Sequence, residues 1–88
     1  MIITILITSE DGALLEGASV SIPGKNAVTT GPDGTVDIAV GAGLIVAVSA
    51  DRDGFLGQSQ VVVAPVDEEE MDVVMELVQV REQVLNLN

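Results

Sequence analysis

The stretch GPDGTVDIAVGAGLIVAVSA, residues 31–50, decides the fold class. Its first four residues predict a tight turn, because proline presets φ and the closing glycine accepts a positive φ. Apolar and polar side chains then alternate over residues 35–40, which is the period of a strand with one buried face. A glycine-rich turn follows at residues 41–43, and residues 44–50, apolar on both faces, predict a central strand. The stretch therefore predicts β-structure.

Working outward, the same pattern covers the rest of the chain. Turn residues recur about every 8–12 positions, a spacing typical of a sandwich or barrel. Further strands are predicted over residues 1–8, 18–22, 27–30 (a short edge strand), 55–64 and 71–80. A helix would also fit the last segment, with Asp67 and Glu70 as its capping box, but the density of valine favours a strand. The side chains predicted to face the core are Val20, Ile22, Val36, Ile38, Val46, Val48 and Val61.

The composition of the chain argues against several classes of function without indicating one. The chain has 88 residues, no cysteine and no histidine, so it has room for one domain and lacks disulfides and the usual neutral-pH base. Its net charge of −11, with one aromatic residue, is unfavourable for nucleic acid and for anionic membranes. No segment has the roughly 20 apolar residues of a spanning helix, and no basic n-region precedes residues 1–7, so neither membrane insertion nor a signal peptide is expected.

The order of three motifs resembles that of carboxypeptidase regulatory-like domains. Residues 12–20, with LEGASV at their end, resemble the opening of those domains, and TTGPDGTV (29–36) resembles their hairpin. VAVSA (46–50) followed by Gly54 and Phe55 resembles their Gly-aromatic stretch, and residues 59–63 and 71–77 resemble their closing strands. The resemblance covers roughly residues 3–77.

This resemblance implies an all-β fold, a seven-stranded antiparallel Greek-key sandwich of the transthyretin-like or Ig-like type, similar also to the B repeats of bacterial adhesins. Members of the family are mostly non-catalytic accessory, stalk or interaction domains. The chain departs from the adhesin repeats in having no lysine and asparagine placed for an isopeptide bond, since Lys25 lies in a predicted turn. We expect residues 1–80 to form the sandwich and residues 81–88 to be a C-terminal tail.

No set of residues predicts catalysis or a cofactor. No histidine is present to activate a serine or threonine, so we expect a protein that is not an enzyme. Asp51 and Asp53, followed by Gly54, resemble the start of a calcium loop, yet Phe55 and Leu56 stand where further oxygen ligands are needed. The two aspartates are therefore weak metal candidates, and a turn explains them as well.

Two further features each allow a structural and a functional interpretation. The acidic run at residues 67–70 is a solvated turn that keeps strand edges from pairing, or a dock for a basic surface or divalent ions. Phe55 is a core anchor, or an exposed interface residue. In both cases the structural interpretation is favoured.

Protein contacts are predicted at both ends of the chain. The first strand is apolar on both faces, with Ile3, Ile5 and Ile7 on one face and Ile2 and Leu6 on the other. Its second face or an open edge is therefore a candidate interface. The tail adds Val84, Leu85 and Leu87 beyond the family resemblance. Strand addition to a partner sheet is one route, and a tail that folds back over the sandwich is the alternative.

The leading functional hypothesis is a structural protein of a larger assembly or homo-oligomer, such as a bacteriophage head-decoration or fibre-associated protein of the virion. The alternative is an extracellular or periplasmic interaction domain of a prokaryotic surface protein. A small-ligand or calcium-binding domain is the weaker third hypothesis, because the sequence shows no apolar pocket with convergent polar groups.

Overall fold

The computed structural model describes residues 1–80 and shows two β-sheets packed face to face. This confirms the all-β prediction, including a strand in place of the helix considered near the C-terminal end. Among residues 1–80 there is no helix of the length and apolar character that crossing a membrane requires. The strands are β1 (Ile2–Ser9), β2 (Ser19–Ser21), β3 (Val28–Thr29), β4 (Thr35–Ala39), β5 (Ile45–Asp51), β6 (Gln58–Val63) and β7 (Glu70–Leu77).

The smaller sheet has three strands in the order β4-β1-β7. β1 is its central strand and pairs antiparallel with β4 and parallel with β7. The parallel pair corrects the prediction of a wholly antiparallel sandwich, and it follows from where the chain crosses between sheets. The connection after β6 reaches the start of β1, since Ile2 N donates to Glu69 O at 2.9 Å, so β7 enters the sheet in the direction of β1. The Greek-key connection stays a prediction.

The larger sheet has four antiparallel strands in the order β3-β2-β5-β6. β3 is an edge strand, as predicted, and β6 forms the other edge. β6 is shorter than the predicted strand over residues 55–64. Phe55 instead forms an isolated bridge with Gln79, and Leu56 N donates to Val78 O at 2.8 Å, so the start of the predicted strand pairs with the chain after β7.

The core is almost entirely aliphatic. Ile3, Ile5 and Ile7 of β1 are fully buried and face the valines of β2 and β5, as the alternation predicts. Phe55 packs against this core at one end, which confirms the structural interpretation of the lone aromatic residue. Six of the seven predicted inward positions belong to the core or pack against it: Val20, Ile22, Val36, Ile38, Val46 and Val48.

Val61 is the exception, and its predicted orientation is wrong. Its side chain is 67% exposed, whereas that of Val62 is 6% exposed. The register explains the difference, because buried Val46 lies opposite Val62 and exposed Ala47 lies opposite Val61. Three consecutive valines contain no alternation, so the segment alone does not indicate its buried face.

The connection from β3 to β4 is held by a buried hydroxyl and a glycine. Thr30, 3% exposed, donates from Oγ1 to Leu15 O at 2.6 Å and accepts from Ala18 N at 2.9 Å. Gly34 has a φ of +75°, and a Cβ there would lie 2.9 Å from Ile7 O. These two residues fix the long loop between β1 and β2 against the turn that the sequence predicts at residues 31–34.

Candidate interaction surface

The outer face of the four-stranded sheet carries an apolar patch. Ile45 is 73% exposed, Val61 67% and Val63 58%. Ile45 lies directly opposite Val63, and exposed Ala47 lies directly opposite Val61. We call these four residues the outer patch. Directly opposite side chains lie roughly 4.5–5.5 Å apart at Cβ, so the four form one continuous aliphatic surface rather than scattered apolar residues.

The patch is extended at one end and becomes polar at the other. Exposed Leu44 precedes Ile45 in the chain. Val66, which is 76% exposed, packs against Gly43, where an added Cβ would lie 3.8 Å from its Cγ2. Toward the other end the next cross-strand pair is Ser49 and Ser59, whose hydroxyls are 3.0 Å apart. The apolar surface is therefore confined to the end of the sheet from which β5 starts.

The patch adjoins the open edge of β6. Ala64 bonds toward β5 through both of its main-chain groups, with Ala64 N to Leu44 O and Gly43 N to Ala64 O each at 2.8 Å. Antiparallel pairs alternate between bonded and non-bonded positions. The N–H and C=O groups of Ser59, Val61 and Val63 consequently point away from β5, and in the described residues β6 pairs with no other strand.

The other edges are protected in ways that β6 is not. β3 has two residues, and β4 carries Asp37, to which Thr4 Oγ1 donates a 2.7 Å hydrogen bond. β7 has acidic residues at three of the four positions of its exposed face, namely Glu70, Asp72 and Glu76, and the fourth is Val74. Short length and charge are the usual means by which edge strands avoid pairing. β6, with the sequence QSQVVV, has neither charge nor proline.

The predicted interface residues of the first strand lie on the opposite side of the molecule. Ile2 (37% exposed) and half-buried Leu6 belong to the outer face of the three-stranded sheet. The cross-strand neighbours of Ile2 are Ala39 and Glu70, and those of Leu6 are Thr35 and Val74, so this face is mixed rather than apolar. The prediction that this strand has an open edge is wrong, because β4 pairs with one side of it and β7 with the other. Val84, Leu85 and Leu87 lie outside the described residues.

The two candidate metal ligands flank an arginine. Arg52 Nε donates to Glu16 O at 2.8 Å, and its guanidinium carbon lies 5.6 Å from the centroid of the Phe55 ring. Asp51 and Asp53 are exposed on either side of it. In the part of the chain that the structure describes, no group of three or more histidine, cysteine, aspartate or glutamate residues is placed to hold a metal ion.

The acidic run at residues 67–70 is exposed; its first three residues end the connection from β6, and Glu70 begins β7. It begins shortly after the open edge of β6 ends and borders an open concavity lined by Pro65, Met71 and the acidic side chains. The four carboxylates therefore give a negative potential to the end of β6 where the outer patch lies.

The outer patch was not predicted as a surface, although the sequence contains its signal. Residues 44–50 are apolar on both faces, which predicts a central strand, and residues 61–63 are three consecutive valines. The register instead pairs the second faces of these segments with each other on the outside of the sheet. When two strands that are apolar on both faces pair with each other, and no further sheet packs on their outer face, an exposed apolar patch results.

No family model matches the chain, and no curated protein sequence matches it. The carboxypeptidase regulatory-like assignment is therefore not confirmed. Among solved structures, the chain is similar to the C-terminal domain of the Caf1A usher, with a TM-score of 0.58 and 15% identity over 90% of this chain and 98% of that one. The C-terminal domain of the PapC usher has a TM-score of 0.47 and 19% identity over the same shares. At these identities the likeness to the Caf1A domain shows the β-sandwich fold alone.

Proposed function

We propose that this chain is a non-catalytic interaction module that binds another protein through the outer patch. The observation that carries the proposal is the exposure of Ile45, Val61 and Val63 as one aliphatic surface on an otherwise strongly acidic molecule. Contiguous apolar surfaces of this kind on small proteins mark interaction sites. Aliphatic side chains without aromatic or catalytic neighbours are suited to protein contacts rather than to sugar or base stacking.

The similar usher domain supports the proposal by analogy. In the Caf1A usher C-terminal domain, conserved hydrophobic clusters on the surface are important for F1 antigen assembly. The outer patch is a hydrophobic cluster on the surface of the same kind of sandwich. A role in bringing proteins together agrees with it, whereas the likeness to an usher domain lends no support to a virion decoration or fibre protein.

A second contact through the chain ends remains part of the proposal. Ile2 and Leu6 lie on the outer face of the three-stranded sheet, away from the outer patch. The tail over residues 81–88 contributes Val84, Leu85 and Leu87 to the same hypothesis. A module with two separate contact surfaces would join two partners, and deletion of residues 82–88 would weaken only one of the two contacts.

Site-specific photo-crosslinking in the organism that makes the protein tests the proposal. The crosslinking residue replaces Val61 in the outer patch or, as a matched control, Leu14, which is 53% exposed in the loop between β1 and β2. We expect a discrete crosslinked protein at position 61 and none of that mass at position 14. Equal crosslinking at both positions, or none at position 61, would contradict the proposal.

A further inference from the structure

We infer that the open edge of β6 accepts an extended strand of a protein partner, in which apolar residues alternate and basic residues flank the strand. The inference rests on the proposed function and specifies how the partner is bound. Its basis is the coincidence of three features in one place: a free main-chain edge, an apolar face beside it and an acidic run at its end.

The free edge presents main-chain groups at a regular spacing. Ser59, Val61 and Val63 each direct an N–H and a C=O group outward, as the bonding of Ala64 to β5 requires. Alternate residues of a strand are about 6.6 Å apart, and a paired strand lies about 4.8 Å away. An added strand of five to seven residues would therefore form hydrogen bonds with these N–H and C=O groups and become the fifth strand of the sheet.

The face beside the edge selects the side chains of the added strand. Val61 and Val63 lie on the outer face next to the edge, with Ala47 and Ile45 behind them. Every second side chain of the partner would continue this surface, and an aliphatic side chain there would cover Val61 and Val63. Main-chain bonds then provide affinity, and the alternating side chains provide specificity.

The charge of this chain favours basic residues on either side of the partner's strand. It also argues against a second copy of this chain as the partner. Residues 67–70, in the connection that leads from β6 into β7, are all acidic and exposed, in a molecule of net charge −11. A partner with lysine or arginine at the end of its strand would approach a complementary potential. A second copy would bring another −11 into contact, which opposes association at low ionic strength.

The test uses the full chain and a synthetic peptide in which valine and threonine alternate over six positions between pairs of lysines. We expect titration calorimetry at low salt to give a Kd below about 100 µM. Two control peptides carry glutamates in place of the lysines, or N-methyl groups on the main-chain amides of alternate residues. Each control should bind at least about tenfold more weakly, because the first loses the charge complementarity and the second loses the main-chain bonds.

Two variants locate the binding. Val61→Pro removes an N–H group that points to the open edge and leaves the hydrogen bonds to β5 intact. Edge strands tolerate proline at such outward-facing positions. The variant should bind the lysine peptide at least about tenfold more weakly. Val74→Pro on β7, whose outer face carries acidic residues, is the matched control and should bind the lysine peptide as the natural chain does. If either variant fails to fold, the N-methylated peptide supplies the same comparison on the unaltered chain.

Three results would overturn the inference. The first is absence of binding by the lysine peptide, and the second is equal binding of the N-methylated peptide. The third is a homodimer, measured by sedimentation, that Val61→Pro disrupts, since this would make a second copy the occupant of the edge. If crosslinking at position 61 still succeeds in any of these cases, the proposed function stands and only the strand-addition mode is lost.

Discussion

At the residue scale, Thr30 connects segments that are distant in sequence. Its hydroxyl joins Leu15 O to Ala18 N, and its main chain bonds to the same loop through Ala18 O and Gly17 N. These buried polar groups have no access to water, so losing the hydroxyl leaves an acceptor and a donor unsatisfied. The residue was not singled out from the sequence, because its partners lie in a loop whose position depends on the fold.

We expect Thr30→Val to lower the free energy of unfolding by about 1–3 kcal/mol, since the shape of the side chain is kept and both hydrogen bonds are lost. Thr30→Ser keeps the hydroxyl and is the matched control, with a smaller loss from the missing methyl group. Urea denaturation followed by circular dichroism measures both. Equal stability of the Thr30→Val variant and the natural chain would show that the loop does not depend on these bonds.

Asp33 gives a pH dependence of known sign. Hydrogen bonds from the Thr35 side chain and main-chain N–H hold the pKa of Asp33 below its ordinary value of 3.8. The charged form is thus favoured by folding, so its contribution to stability is complete above the unfolded pKa and is lost as the pH falls through the lower folded pKa.

We therefore expect Asp33→Asn to melt at a lower temperature than the natural chain at neutral pH. The difference between the two proteins should stay constant down to about pH 4 and shrink below it. Comparing the pair removes the effect of the other carboxylates, which both proteins share. A difference that grows as the solution is acidified would have the wrong sign for this account.

At the scale of the strands, the orientation of β6 decides whether the proposed interaction surface exists. Its buried residue is Val62 and its exposed neighbours are Val61 and Val63. If the orientation were reversed, the outer patch and the apolar edge would both disappear. A pair of substitutions that keep side-chain shape distinguishes the two orientations.

Val62→Thr places a hydroxyl in the core and should cost about 1–3 kcal/mol of unfolding free energy. Val61→Thr changes a solvated position in a strand and should be within about 0.5 kcal/mol of the natural chain. Thermal or urea unfolding of the two variants measures the difference. A larger loss for Val61→Thr than for Val62→Thr would reverse the orientation of β6 and remove the basis of the proposal.

The strands themselves were predictable, and their partners were not. Alternation located β1 and β4 to within a residue or two, since it reflects one buried face per strand, and an apolar run located β5 equally well. The central place of β1 and its parallel pairing with β7 depend on residues about 70 positions apart, and no local pattern encodes such pairing. The outer patch was missed for the same reason, because Ile45 and Val63 become neighbours only through the register of β5 and β6.

At the scale of the whole molecule, stability comes from aliphatic packing between two sheets. The described residues contain no metal cluster, and Asp51 and Asp53 flank Arg52 rather than converging on a common point with other carboxylates. Aliphatic packing does not depend on an ion. The cohesion of the fold should consequently be indifferent to divalent cations.

We expect EDTA to change the melting temperature by less than about 2 °C, because a loss of only ~1 kcal/mol would shift a domain of this size by roughly 4–8 °C. Differential scanning calorimetry with and without EDTA measures this. Magnesium and calcium added back in turn are the controls. A larger drop that calcium alone reverses would assign a metal site, with Asp51 and Asp53 as the first ligands to replace.

The central claim is that the outer patch and the edge of β6 are where this molecule meets its partner. The most direct test is amide hydrogen exchange measured by NMR. It compares the chain alone with the chain bound to the partner that crosslinking at position 61 identifies. In the free chain the amides of Ser59, Val61 and Val63 should exchange quickly and those of Gln60 and Val62 slowly, and the partner should slow the first three. Unchanged exchange in β6, with new protection on the outer face of β1 and β7, would contradict the account.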